Sequence, residues 1–95
     1  MGNVPNWVVR SVVAAPDFVL IVGFADGSCK RYDMKPVLAD GGIFRRIATP
    51  GVFATAYADG TTVSWPGNID IAPEELYENG VPCDAALLAG AIARP

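Results

Sequence analysis

Residues 18–33 read FVLIVGFADGSCKRYD, and the fold class is most legible in this segment. Its first seven residues are nearly all apolar, with β-branched and aromatic side chains, so they predict a strand over 18–24. Because both faces of that strand are apolar, we expect it to be central in a sheet or to cover an interface. Asp26-Gly27 predicts a tight hairpin. The more polar run at 28–34 then predicts a third strand at the edge of the sheet.

The same type of pattern occurs on both sides of this hairpin. WVVRSVVA at 7–14 predicts a first strand, which ends at a turn around Pro16. VFATAYA at 52–58 and the run at 61–65 predict a fourth and a fifth strand, joined by a second hairpin at Asp59-Gly60. We therefore expect an α+β fold: a small curled antiparallel sheet of two hairpins, with short helices beside it.

The helices are predicted from breakers and caps. A short helix or turn is expected at 43–47, and a loop at 66–68 precedes a helix over about 73–78. Pro73 suits the first position of that helix because its missing N–H is not needed there. Glu74 and Glu75 suit the positive end of the helix dipole.

The C-terminal region differs in composition from the rest. Asp84 is a candidate N-cap for a helix over 85–93, AALLAGAIA. Such a helix is marginal when exposed alone, so it must pack on something. We expect residues 1–80 to form a single α+β domain, and residues 81–95 to form a helical tail docked on that domain or on a partner.

Charge and hydropathy exclude several classes of protein. The net charge is −3, and it is divided between +2 in the first 50 residues and −5 in the remainder. No overall basic field is present to hold nucleic acid, so we expect the isolated domain not to bind it. No apolar run is long enough to span a membrane, and the start lacks the basic region of a signal peptide. We expect a cytoplasmic protein.

The inventory of reactive side chains is small. The chain has no histidine, and its two cysteines, Cys29 and Cys83, do not form a C-x-x-C motif. This excludes most zinc sites and every nucleophile that needs a histidine base. We expect two reduced thiols, a fold that needs neither a metal nor a Cys29–Cys83 bridge, no cofactor, and no catalytic residues.

Three segments together carry a family resemblance. WPGNIDIAPEELY at 65–77, with VGFADGSCKRYD at 22–33 and GGIF at 41–44, resembles the small bacterial family called domain of unknown function 2442. The resemblance covers about residues 6–78, and the block from Trp65 to Tyr77 is its specific part. It implies a small α+β domain without an established activity. Some relatives carry a helix-turn-helix domain after this unit, and others are thought to pair with a small neighbouring protein in a toxin–antitoxin-like arrangement.

The candidate binding residues lie in that specific block: Trp65, Asp70, Glu74 and Tyr77. One interpretation is an aromatic wall with acidic groups that binds a basic peptide or a small polar ligand. The other is structural: the two aromatic rings anchor the core, and Asp70 holds the loop before the helix through backbone N–H groups. The pattern does not separate these interpretations.

Two charged groups allow further hypotheses. Glu74 and Glu78 lie four residues apart on one helix face, which is typical of a solvated acidic face and supplies too few ligands for a hard cation. Five basic residues would form a phosphate-binding patch if the third strand lay beside the 43–47 turn: Lys30, Arg31, Lys35, Arg45 and Arg46.

The leading functional hypothesis is a non-enzymatic protein-interaction domain, an antitoxin-like or regulatory partner of a small protein. The alternative is a DNA-associated transcriptional regulatory module. Hydrophobic residues make up 52% of the chain, more than one small core can cover, so we expect a homo-oligomer, most simply a dimer. A competing arrangement is that the tail covers the second apolar face of the 18–24 strand, formed by Val19 and Ile21, within one chain.

Overall fold

The computed structural model describes residues 4–88, which fold into short strands and helices. The strands are β1 (Val9–Ala15), β2 (Val19–Phe24), β3 (Cys29–Asp33), β4 (Tyr57–Ala58), β5 (Val63–Trp65), β6 (Ile69–Ile71) and β7 (Val81–Pro82). The helices are α1 (Lys35–Asp40), α2 (Pro50–Phe53) and α3 (Pro73–Asn79), with a 3₁₀ helix over Gly42–Ile47 between the first two. The α+β class is confirmed.

The larger sheet is built around β2. Its strand order is β1-β2-β3-β7, with antiparallel neighbours throughout, and every residue of β2 is buried. The predicted central strand and the hairpin at Asp26-Gly27 are therefore confirmed. Gly27 adopts φ 87°, and the Asp26 Oδ1 atom accepts a hydrogen bond of 2.9 Å from the backbone N–H of Ser28, which closes the turn.

The second hairpin lies in a separate sheet. Strands β4, β5 and β6 form a three-stranded antiparallel sheet, in which Trp65 is paired with Ile69. The expectation that both hairpins share one sheet is wrong. Residues 35–53 form three helices between the hairpins, and the sheets meet instead where the Val9 backbone N–H donates to the Thr61 carbonyl, at 3.0 Å.

The fourth strand predicted at 52–58 is also wrong over most of its length. Residues Pro50–Phe53 form α2, and only Tyr57–Ala58 are extended as β4. Pro50 occupies the start of the helix, where its fixed φ and missing N–H are tolerated. The Phe53 side chain is buried against Phe18 and Trp65, at ring-centroid distances of 5.2 and 5.8 Å, so tertiary packing selects the helical turn.

The polarity of the third strand predicted an edge position, and that prediction is wrong. Strand β7 pairs with it, placing Lys30 opposite Pro82 and Arg31 opposite Val81. Strand β7 takes the outer position in the sheet, which suits Pro82 because it has no N–H to donate. The predicted loop at 66–68 is a turn that joins β5 to β6, a strand that the sequence did not indicate.

The buried side chains form two clusters on opposite faces of β2. The main cluster joins the larger sheet to β5, β6, α2 and α3, and it consists of Val9, Leu20, Val22, Phe24, Tyr32, Met34, Ile47, Phe53, Val63, Trp65, Ile69, Ile71 and Leu76. The smaller cluster contains Val19, Ile21 and Cys29, and Cys83 and Leu88 pack against it. The second apolar face of β2 is therefore covered within the chain.

The C-terminal region is described as far as residue 88. After β7, the Asp84 Oδ1 atom accepts a hydrogen bond of 2.9 Å from the Ala86 N–H, as an N-cap does, and one helical turn begins. The remainder of the helix predicted over 85–93 lies outside the described residues. Residues 81–88 pack on the unit that the preceding residues form, through the β3–β7 pair and through Leu88.

Candidate interaction surface

Trp65 lies at the centre of the main core cluster and is fully buried. Strand β5 points its ring toward α2, where the indole Nε1–H donates to the Phe53 backbone carbonyl at 3.0 Å. The last carbonyl of α2 thus accepts a hydrogen bond from a side chain of the three-stranded sheet. In this position Trp65 anchors the core, and its ring has no surface left for a ligand.

Tyr77 is partly buried against the same core cluster and attaches α3 to the β2–β3 hairpin. Its ring stands edge-on to Phe24 with centroids 5.0 Å apart, and its hydroxyl donates to Asp26 Oδ2 at 2.6 Å. The Lys30 ammonium lies 4.1 Å from the ring centroid and donates to the Tyr77 backbone carbonyl. The hydrogen bond to Asp26 raises the pKa of the Tyr77 hydroxyl.

A second contact between α3 and β3 was not predicted. The Tyr32 hydroxyl donates to Glu75 Oε2 at 2.7 Å, and Asn79 donates to the other carboxylate oxygen at 2.9 Å. Burial of the ring, followed by this hydrogen bond, raises the pKa of Tyr32 well above its ordinary value. Helix α3 packs on the face of β3 that carries Lys30 and Tyr32. The alternation of side chains along β3, which puts these two on one face, is the sequence signal for that contact.

Asp70 and Glu74 are both exposed. Asp70 lies on β6 opposite Ser64, and within residues 4–88 it accepts none of the hydrogen bonds that the structural interpretation assigns to backbone N–H groups of the loop before α3. Glu74 lies in the first turn of α3, and Glu78 follows one turn later, also exposed. We call Asp70, Glu74 and Glu78 the acidic surface. The four predicted residues therefore do not converge on one pocket: Trp65 is internal, Tyr77 faces the hairpin, and the two carboxylates face solvent.

The carboxylate that holds a turn together is Asp59. Its Oδ1 atom accepts hydrogen bonds of 2.9 Å from the backbone N–H groups of Thr61 and Thr62, and its Oδ2 atom accepts one from the Ser64 hydroxyl. These bonds lower the pKa of Asp59, with the Ser64 hydroxyl as the largest cause. The Asp-Gly pair in the sequence signals this role, since Asp26 binds Ser28 in the equivalent way.

The basic residues are divided among several roles. Lys35 pairs with Asp17 and Asp33 at 3.0 and 2.9 Å, and both ion pairs found within residues 4–88 involve it. Lys30 is occupied by Tyr77. The remaining members of the hypothetical basic patch, Arg31, Arg45 and Arg46, are exposed. In the described part of the chain, no cation pairs with the acidic surface.

One apolar cleft of about 220 Å³ lies between the β1–β2 turn and α2. Phe18 and Phe53 line it, together with alanines of both elements, and Asp17 lies at its rim. Both Asp17 and Phe18 adopt a positive φ, 66° and 59°, which is unusual for an aromatic residue. The cleft is shaped for an apolar side chain, and its single carboxylate already pairs with Lys35.

The interior of residues 4–88 offers no alternative polar site. Each buried side-chain nitrogen or oxygen in that range has a hydrogen-bond partner, and no three potential metal ligands cluster there. The same residues contain no helix with the length and apolar character needed to traverse a bilayer. The polar candidate sites of the described residues therefore lie on the surface of the domain.

Acid should destabilise the domain in a defined pH range. Hydrogen bonds from Ser28 and Tyr77 lower the pKa of Asp26 from 3.8 to about 2, and the pKa values of Asp33 and Asp59 are lowered too. Depressed pKa values in the folded state stabilise it above pH 4, and this stabilisation is lost as the pH falls from about 4 toward 2. We expect the urea midpoint to be level from pH 7 to 5 and to fall below pH 4. Asp59→Asn, which keeps acceptor Oδ1 but cannot titrate, should make that fall shallower; an unchanged slope would contradict this assignment.

Comparison with known proteins identifies the family. No curated protein and no solved structure matches the chain. The family model described as Protein of unknown function (DUF2442) matches residues 9–82, a span that runs from the first residue of β1 to the last of β7. It contains both sheets, α3 and the whole acidic surface. The chain therefore belongs to the DUF2442 family of proteins of unknown function.

Proposed function

We propose that the chain is a non-catalytic protein-interaction domain that binds a basic segment of a partner protein on the acidic surface. The observation that carries the proposal is the exposure of Asp70, Glu74 and Glu78 on β6 and α3 without an ion-pair partner in residues 4–88. Such an uncompensated surface attracts a cationic partner and orients it during encounter. In this role the domain would be an antitoxin-like or regulatory partner of a small basic protein.

The scaffold beneath the surface supports a binding role. Helix α3 is held on β3 by the Tyr32–Glu75 hydrogen bond and by Tyr77, so Glu74 and Glu78 project from a fixed support. Interaction surfaces on rigid elements lose less entropy on binding. The chain has no histidine, and its described part holds no cluster of three potential metal ligands; both observations favour a non-catalytic function.

Self-association is part of this proposal. The apolar face of Val19 and Ile21 is covered within the chain, so a two-fold dimer would use another surface. Exposed apolar side chains on β4, β7 and the turn after β7 supply candidates: Tyr57, Val81 and Leu87. Light scattering at micromolar concentration gives the molar mass, and a monomer there would remove self-association from the proposal.

The binding surface is tested with a fluorescent lysine- and arginine-rich peptide as probe, by anisotropy at two salt concentrations. We expect Glu74→Gln and Glu78→Gln each to weaken binding about threefold, since one exposed ion pair contributes under about 1 kcal/mol. Asp40→Asn, at an exposed position at the end of α1, removes the same charge away from this surface and should leave binding unchanged.

Two results would overturn the proposal. Equal weakening by all three variants would mean that the peptide responds to net charge and not to the acidic surface. Tighter binding of duplex DNA than of the peptide, lost on replacing Arg45 and Arg46, would favour the alternative of a DNA-associated regulatory module. We expect no DNA binding by the isolated domain because its net charge is −3.

A further inference from the structure

Cys29 and Cys83 face each other across two paired strands. Cys29 is the first residue of β3, and Cys83 directly follows β7. The register that places Lys30 opposite Pro82 continues to this position, because the Cys83 backbone N–H donates to the Cys29 carbonyl at 3.1 Å. The two Sγ atoms lie 3.0 Å apart. The thiols are 54 positions apart in the chain and in direct contact in the fold.

The backbone geometry at this position suits a covalent bond. Residues that face each other in a hydrogen-bonded antiparallel pair have Cα atoms about 5.5 Å apart. That value lies inside the range of about 4.4–6.8 Å found for disulfides. A small rotation of each side chain is therefore enough to form the bond. We propose that Cys29 and Cys83 are a redox modification site that forms a reversible intramolecular disulfide and clips residues 81–88 onto β3.

Thiol–disulfide exchange with a low-molecular-weight disulfide, such as oxidised glutathione, forms the bond. The half-buried Cys83 loses its proton and attacks one glutathione sulfur, which releases one glutathione thiolate and leaves a mixed disulfide on Cys83. Cys29 then loses its proton and attacks the Cys83 sulfur, which releases the second glutathione. Two protein thiols are oxidised, and one glutathione disulfide is reduced to two thiols, so atoms and electrons balance.

The second step depends on the buried thiol. Burial raises the pKa of the Cys29 thiol above its ordinary value. Because the thiolate is the attacking form, closure of the bridge accelerates as the pH rises. A raised pKa also makes Cys29 a poor leaving group, which slows reduction by attack at Cys83.

The bond would control how firmly the end of the chain is held. Strand β7 has two residues, and Pro82 contributes no N–H to its ladder, so few bonds fix it to β3. Residues Cys83 and Leu88 cover the apolar face of Val19 and Ile21. In a reducing compartment, packing and the short β3–β7 hydrogen-bond ladder hold these residues in place. Oxidation would add a covalent bond that lasts until the bridge is reduced.

The full chain is incubated in glutathione buffers of increasing oxidised fraction at pH 7 and 8.5, alkylated under denaturing conditions and weighed by mass spectrometry. We expect a product that is lighter by two hydrogens, about 2 Da, and resists alkylation at both cysteines. It should form faster at pH 8.5, and a linked peptide pair should locate the bond. The melting temperature should rise by roughly 5–15 °C relative to the reduced protein.

The wild-type protein alone decides the outcome, so a variant that fails to fold does not obscure it. Cys83→Ser serves as the control: it should show no gain in melting temperature under oxidising buffer. The proposal is overturned if the wild type carries only glutathione adducts, if it forms intermolecular disulfides instead, or if both thiols remain open to alkylation in fully oxidised buffer.

Discussion

Trp65→Ala is expected to lower the free energy of unfolding by about 3–5 kcal/mol, a large part of the stability of a domain of this size. The ring fills the centre of the main core cluster and contacts Phe53, so alanine leaves a cavity between β5 and α2. The substitution also leaves the Phe53 carbonyl without the indole N–H as a donor. Urea denaturation followed by circular dichroism measures the loss.

Two further variants separate packing from hydrogen bonding. Trp65→Phe keeps most of the ring and removes the N–H, so it should cost about 1–3 kcal/mol. Tyr57→Ala truncates an aromatic side chain that is 47% exposed, and it should change stability by less than 1 kcal/mol. If Trp65→Ala melted like the wild type and lost only a binding partner, Trp65 would be a binding residue and its role as core anchor would be wrong.

Gly80→Ala should cause the second largest loss, about 2–3 kcal/mol. A Cβ atom at this position would lie 2.5 Å from the Leu76 carbonyl oxygen and 2.9 Å from Lys30 Cβ. The Gly80 N–H donates to that same carbonyl at 3.0 Å, so relief of the clash must break the bond that ends α3 or move the helix away from β3. The backbone φ of −71° is open to any residue, so the effect arises from space alone.

Gly51→Ala is the matched control for that substitution. Apart from its chain neighbours and the backbone of its own helix, no atom lies within 4 Å of a Cβ atom at Gly51, and the residue lies inside α2. Alanine there should be neutral or should stabilise by up to about 1 kcal/mol, because it favours helix over glycine. Amide hydrogen exchange should increase in α3 and β7 of Gly80→Ala alone. Equal stability of the two variants would show that the end of α3 is not tightly packed on β3.

The elements that were predictable from the sequence are those that local residues specify. Asp26-Gly27 fixes the β2–β3 hairpin through a side chain that binds two positions away, and Pro73 fixes the start of α3. Both follow from chemistry within a few residues, which a single sequence contains in full. The unbroken apolar run of β2 also predicts its central place, since only a strand covered on both faces can be apolar throughout.

The elements that were missed depend on distant contacts. VFATAYA alternates as a strand does, but Pro50 and the burial of Phe53 against Trp65 make its first half helical. Strand β7 has two residues and exists only because β3 offers a partner far away in the chain.

The residues of the candidate site are likewise placed by contacts outside their own segment. Trp65 and Tyr77 belong to one sequence motif and pack on one core cluster, yet Trp65 is fully buried in it and Tyr77 is partly buried beside the hairpin. The spacing between them carries no sign of that difference. The carboxylates that hold turns are Asp26 and Asp59, in the two hairpins, and not Asp70 before α3. Only Asp59 is followed by glycine, and that local signal separates it from Asp70, which lies inside β6.

The late position of β7 has a consequence during synthesis. The β1–β2–β3 meander is built from neighbours in sequence and can form as soon as it leaves the ribosome, but the strand that completes its edge begins at Val81, 52 positions after Cys29. At about 5–20 residues per second, translation of that interval takes about 3–10 s. For those seconds the nascent chain presents an open strand edge and the uncovered side chains of Val19 and Ile21. The period of greatest aggregation risk for this domain is therefore set by the rate of elongation, and slowing the ribosome downstream of β3 would lengthen it.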